Sequence, residues 1–74
     1  MLLLCSVCDE VAAAQFDEAG EGIRFDCGSC GAFTISDISS IAIQRFKPQM
    51  RHDILRVAAH RAGPVGVPHI SHVD

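Results

Sequence analysis

The sequence predicts a small α+β fold, in which a short antiparallel β-sheet is followed by one or two C-terminal α-helices. Three observations predict it. Cys5-Ser6-Val7-Cys8 and Cys27-Gly28-Ser29-Cys30 repeat the C-x-x-C spacing with 18 residues between them, which is the ligand pattern of a closed, four-thiolate zinc site. Strand-like sequence flanks both pairs. Helical spacing of apolar residues begins only after Ser36.

Met1-Leu2-Leu3-Leu4 opens the chain. It lacks the basic start of a signal peptide, and its apolar run falls short of the roughly 7–15 residues such a segment needs. It therefore reads as a strand running into the first cysteine pair. Residues 11–16 and 23–26 read as two further strands. The connector Asp17-Glu18-Ala19-Gly20-Glu21-Gly22 carries two glycines, as a hairpin turn requires. Residues 32–35 make another strand after the second pair.

Ser36 and Asp37 mark a helix start, with a hydroxyl to cap free N–H groups and an acid in the first turn. Ile38, Ile41, Ala42 and Phe46 lie at helical spacing and form the expected apolar stripe. Pro48 ends or kinks this helix near Lys47 and suits the first turn of a second one, reaching about Ala62. In that second helix Met50, Ile54, Val57 and Ala58 share one face, and His52, Arg56 and His60 another. Gly63-Pro64 is a stop signal. The expected organisation is one domain, with a metal-binding part at 1–36, a helical segment packed on it at 37–63, and an extended or loose Gly/Pro-containing tail at 64–74.

With 74 residues, a chain buries only about 60% of the surface its unfolded form exposes, so its apolar core alone is marginal. A structural zinc, with an apparent binding energy of roughly 10–16 kcal/mol in finger peptides, is comparable to a domain's whole stability. The metal-free chain is expected to be largely unfolded, at least in its N-terminal half. No apolar run approaches the 18 or so residues of a membrane span, so no membrane role is expected. Without an export signal the expected compartment is the cytoplasm, where thiols stay reduced and available to metal.

The metal chemistry follows from the residue types. Thiolates are soft, negatively charged donors that suit a tetrahedral zinc ion. A C-x-x-C turn sets two sulfurs on one edge of the ion, and its backbone N–H groups offset their charge. The residue after each pair favours positive φ, which Gly31 accepts freely and Asp9 better than most residues. The expected ligands are Cys5, Cys8, Cys27 and Cys30. The competing reading is a pair of disulfides or a dithiol redox couple; strand-like flanks and the lack of a helix N-terminus beside a thiol weigh against it. Four thiolates also leave no position for a catalytic water. With no phosphate-cradling G-x-x-x-x-G-K-[ST] loop and no H-E-x-x-H motif, the chain is not expected to be an enzyme. His69 and His72 are two adjacent donors in the tail, too few for a second metal site.

The segment Ile23-Arg24-Phe25-Asp26-Cys27-Gly28-Ser29-Cys30-Gly31-Ala32-Phe33-Thr34-Ile35-Ser36, together with the first pair, resembles the N-terminal zinc ribbons of bacterial and phage proteins. That resemblance implies a zinc-ribbon fold followed by helices, with the four cysteines on Zn2+. The chain departs from the pattern at the first knuckle, where Ser6 replaces the usual proline and Asp9 the usual glycine.

Charge separates the functional readings. The net charge is −3. Residues 1–30 carry Asp9, Glu10, Asp17, Glu18, Glu21 and Asp26 against Arg24 alone, while Arg45, Lys47, Arg51, Arg56 and Arg61 make the remainder mildly basic. The leading expectation is a module that docks on a protein, through Asp17, Glu18 and Glu21 or through Arg51, His52, Arg56 and His60. An acidic phage or mobile-element inhibitor, filling a basic groove made for nucleic acid, would behave this way. The alternative is a nucleic-acid-binding or transcription-related module that uses the basic helix, against which stand the net charge and the absence of Trp and Tyr. Exposed Leu2, Leu3 and Leu4 could pair edge to edge in a homodimer.

Overall fold

The structure is a computed structural model that describes residues 1–17 and 22–71. Strands β1 (Leu2–Leu4), β2 (Val11–Phe16), β3 (Gly22–Cys27) and β4 (Gly31–Ser36) run antiparallel in chain order. Alternation explains β2 to β4. Ala12 and Ala14, Phe25 and Cys27, and Phe33 and Ile35 all turn to one buried side, with more exposed residues between them. Register places Phe25 opposite Phe33, and their rings stack with centroids 5.3 Å apart. The hairpin turn expected at 17–22 falls mainly on residues outside the described ones, but the strands on either side of it pair as expected, with Phe16 opposite Ile23.

Helix α1 (Asp37–Ala42) starts where expected, with the Ser36 hydroxyl accepting from Ser39 N–H at 3.2 Å. A 3-10 turn (Ile43–Arg45) follows, and then helix α2 (Pro48–Ala62) with proline in its first turn. In α1 the inward face lies one residue away from the expected one, and in α2 the expected face holds for Ala58 and Ile54 but turns past Met50 and Val57 to include Arg51 and Leu55. In α1, Ile38 and Ile41 are 81% and 72% exposed, whereas Ser39 and the following Ile43 are buried. In α2, Arg51, Leu55 and Ala58 are buried and Ile54 is partly so, whereas Met50 and Val57 are half exposed. The spacing is helical in both readings. What shifts the face of α2 is a cation at an inward position, which apolar counting assigns to solvent.

The tail expected to be extended or loose contains β5 (His69–Ile70), which pairs parallel to β4. Ile70 enters the core beside Ile35, and Thr34 N–H donates to Pro68 O at 2.9 Å. Two residues are too few to show a period of two, so this strand leaves little trace in the sequence. The result is a five-stranded, mostly antiparallel sheet with helices against its buried face, a small α+β zinc-ribbon-like fold. Among the described residues no helix is long and apolar enough to cross a membrane.

Candidate metal centre

Each cysteine pair sits at a chain reversal. The first lies between β1 and β2, the second between β3 and β4. In the first, Asp9 N–H donates to Cys5 O at 3.0 Å and Cys5 N–H to Glu10 O at 2.7 Å, closing the turn. The residue after each pair has positive φ, +63° at Asp9 and +82° at Gly31. Glycine reaches that region freely; aspartate is one of the few side chains that tolerates it. Backbone N–H groups of Val7 and Cys8 point at the Cys5 sulfur, and those of Ser29 and Cys30 at the Cys27 sulfur. The two turns are thus locally alike, and each offers a sulfur cradled by its own backbone.

The antiparallel sheet brings the turns together. All four Sγ atoms lie within 4.8 Å of one another, with Cys8 and Cys27 at 3.5 Å. Tetrahedral Zn–S bonds of about 2.3 Å require sulfurs about 3.8 Å apart, so the cluster has the size of a four-thiolate cage. All four cysteines are free of disulfides. Cys5 and Cys27 are buried in the core cluster, and Cys8 and Cys30 pack against it half-buried.

The electrostatics ask for a cation. Burial pushes the Cys5 thiol up to about 11, against the help of its backbone N–H donors. Burial, reinforced by the neighbouring Cys8 and Cys5, raises Cys30 further. At Cys27 burial also raises the thiol, but the N–H groups of Cys30 and Ser29 and the side chains of Cys8 and Cys5 outweigh it and bring it below its ordinary value. The Cys27 thiolate is favoured while Cys5 and Cys30 are pushed toward the neutral thiol, because burial and like charges this close disfavour ionising them together. A divalent ion at the centre would let all four ionise.

Residues outside the cysteines secure the first turn. Arg51, whose side chain is only 10% exposed, reaches from α2 and donates from Nη1 to Asp9 Oδ2 at 3.0 Å. Its Nε donates to Phe46 O at 2.8 Å and Ile43 O at 3.2 Å, and its Nη2 to Gln44 O at 3.3 Å. Gln44 Nε2 donates to Ser6 O at 3.1 Å. Glu10 accepts from the Ser29 hydroxyl, tying the first turn to the second.

This corrects the expectation that Arg51 faces a partner: it is buried and committed to four oxygens. The other residues expected on that surface, His52, Arg56 and His60, do share an exposed face, where Arg56 pairs with Asp53 at 2.7 Å. Glu18 and Glu21 lie outside the described residues, as does His72. Asp17 is exposed at the end of β2. Sequence reasoning missed the role of Gln44 and the inward position of Arg51. The available signal was the spacing of Arg51, Leu55 and Ala58, which places the cation on a helix face shared with two small or apolar residues.

Compared with known proteins, the chain matches no family model, no curated protein and no solved structure. The zinc-ribbon-like character therefore stands on its own sheet, helices and four-cysteine cluster.

Proposed function

We propose that the chain is a non-enzymatic, zinc-stapled module that docks on a protein. Zinc is favoured over other ions because four soft thiolates at tetrahedral separation are its preferred structural set and offer little to oxygen-seeking magnesium or calcium. All four ligands coming from the chain would leave the ion no open position, which supports a structural rather than catalytic role. Reduced cysteines suit a reducing compartment such as the cytoplasm.

The observation that carries the docking reading is an apolar strip along the first two strands. Register places Leu2 opposite Ala13 and Leu4 opposite Val11, all on the side away from the core. Leu2, Leu4 and Val11 are 71%, 63% and 65% exposed. Strand β1 is also a sheet edge. Met1 O and Cys5 N–H bond toward β2, so by antiparallel alternation Leu2 and Leu4 turn their own N–H and C=O groups to the open side. An edge strand with free backbone groups and leucines beside it suits addition of a strand from a partner. The acidic surface is less available than charge counting suggests, since Asp9 is held by Arg51 and Glu10 by Ser29. The basic helix is likewise reduced, with Arg51 buried and Arg56 paired.

The test has two arms. Metal content of the reduced, folded protein is expected at one zinc per chain. Partner capture is then compared between the natural chain and Leu4→Lys, which puts a charge on the edge while leaving the core untouched. Loss of the partner with metal content and circular dichroism unchanged supports the reading. Retained capture, or tight DNA or RNA binding at low salt that ignores Leu4→Lys, overturns it.

A further inference from the structure

The sheet face away from the core divides in two. Toward β5 it is polar, with Gln15, Arg24, Thr34 and His69 opposite one another in a row across four strands. Toward β1 it is apolar. Leu2 lies opposite Ala13 and Leu4 opposite Val11, and none of these side chains carries a charge. Helix α2 packs on β5, at the opposite edge of the sheet from β1, so it stands away from the side on which a further strand would be added.

The backbone of β1 is complementary to itself. Met1 O accepts from Ala14 N–H at 2.8 Å and Cys5 N–H donates to Glu10 O at 2.7 Å. Met1, Leu3 and Cys5 therefore bond toward β2, while Leu2 and Leu4 turn their N–H and C=O groups outward. Consider a second β1 paired antiparallel about a two-fold axis at Leu3. Leu2 of each copy then lies opposite Leu4 of the other. Both members of such a pair have outward groups, so each pair closes both of its hydrogen bonds, and the two Leu3 residues meet at the non-bonded position between them. No outward group of Leu2 or Leu4 is left over. Sliding the axis to Leu4 would instead set Leu2 against Ser6 of the knuckle, which ends the strand.

Side chains match under the same operation. Opposite residues of antiparallel strands share a face. Val11 and Leu4 of one copy therefore continue into Leu2 and Ala13 of the other, an unbroken apolar row across the joined strands, and the two-fold axis repeats it. Leu2 and Leu4, both largely exposed in the single chain, each gain an apolar neighbour from the second copy.

We propose that a second copy of this chain occupies the β1 edge, joining the two sheets into one through antiparallel β1 strands. This names the partner of the docking edge and rests on the docking reading. A three-residue edge buries less than the roughly 1,200 Å² of a standard stable interface, so the dimer is weak, with a Kd on the order of 10–100 µM. The net charge of −3 on each copy opposes association, so added salt strengthens it.

The test is sedimentation of the metal-loaded full chain from about 10 µM to about 1 mM, a range that brackets the expected Kd. A monomer–dimer equilibrium that shifts toward dimer with salt is expected. Deuterium exchange on the same samples should slow several-fold at the Leu2 and Leu4 amides as concentration rises, and change little at Leu3, which already bonds to β2. Leu4→Pro removes one outward N–H without touching a bond to β2, a substitution that sheet edges tolerate. It is expected to weaken the dimer by at least about tenfold, with metal content and circular dichroism unchanged. If that variant fails to fold, exchange in the natural chain decides. A monomer at every concentration, a dimer whose Leu2 and Leu4 amides still exchange freely, or a folded Leu4→Pro chain of unchanged self-affinity would overturn the proposal. A monomer that still captures another protein through Leu4 sinks the dimer alone; a monomer that captures nothing sinks the docking reading with it.

Discussion

In the first knuckle the residue after the cysteine pair is Asp9 at φ +63°, and its carboxylate accepts from Arg51. In the second it is Gly31 at φ +82°, which has no side chain to offer. The backbone cradles are otherwise the same, two N–H groups aimed at the leading sulfur of each pair. The difference lies in what each turn holds. The second is continuous with the central strand β3 and its neighbour β4, and reaches the first through Ser29 and Glu10. The first sits beside a three-residue edge strand, and the helical layer grips it twice, Gln44 on Ser6 O and Arg51 on Asp9. A metal ion joining the two turns would therefore tie the sheet to the helices. The departure from glycine at position 9 also has a use, since aspartate keeps the left-handed turn and adds an anchor for α2.

The largest effect should come from removing the metal, which acts on both knuckles at once. With roughly 10–16 kcal/mol of binding against a domain stability of about 5–15 kcal/mol, chelation is expected to unfold the chain. Far-ultraviolet circular dichroism before and after chelator checks this; a surviving native spectrum would show that the helices hold the first knuckle without help. Loading should also depend on pH with a definite sign. Burial raises Cys5 to about 11 and raises Cys30 as well, and in an unfolded chain thiols near about 8.5 are also mostly protonated at neutrality. The ion must expel those protons, so uptake releases them, strengthens as pH rises and weakens on acidification. An indicator dye in weak buffer measures the release.

Next in size is the grip on the first knuckle. Arg51→Met removes the donor that serves three carbonyls and Asp9, and is expected to cost about 2–4 kcal/mol, read from thermal melts of the metal-loaded protein. Ser29→Ala removes the exposed link between the knuckles and should cost less than about 1 kcal/mol. Equal losses would mean that the two knuckles are held equally by side chains.

The turns themselves come third. Gly31→Ala should cost about 1–2 kcal/mol, because alanine is strained at positive φ. Asp9→Gly relieves the same strain while giving up a half-exposed ion pair, so a net change within about 1 kcal/mol is expected, and Asp9→Ala should be worse than Asp9→Gly by about 1 kcal/mol. Reversal of that last order would mean the left-handed turn matters less at the first knuckle than at the second. Smallest are Ile38→Gln and Ile41→Gln, expected within about 0.5 kcal/mol because both side chains already face water. A larger loss in either would place the expected stripe, and not Ser39 and Ile43, against the sheet.

Much of the four-cysteine cluster was legible because its parts are local. A C-x-x-C turn needs only four residues to aim its sulfurs, and the positive φ at Asp9 and Gly31 follows from the same short geometry. The alternation of residues 11–16 and the serine cap before Asp37 are equally short-range. Less was legible where a side chain's fate depends on a distant partner. Ile38 and Ile41 have the spacing of a buried stripe, yet a six-residue helix can turn another face inward when the next turn delivers Ile43 to the core. The acidic surface looked continuous in the chain, but Asp9 and Glu10 are each spent on a residue the sequence places far away.

Chain order alone was enough to single out the four clustered cysteines, to place the strands around them to within a residue at each end, and to start the second helix at its proline, because turns, caps and side-chain alternation are set by neighbours within a few residues. Tertiary structure decided that Arg51 lies inside, that the tail supplies β5, and that Gln15, Arg24, Thr34 and His69 share one row. Those outcomes join residues 42 apart, as in Asp9 and Arg51, or 35 apart, as in Thr34 and His69. Whether a buried cation is tolerated, or a two-residue strand persists, depends on hydrogen-bond partners that only the folded chain brings within reach.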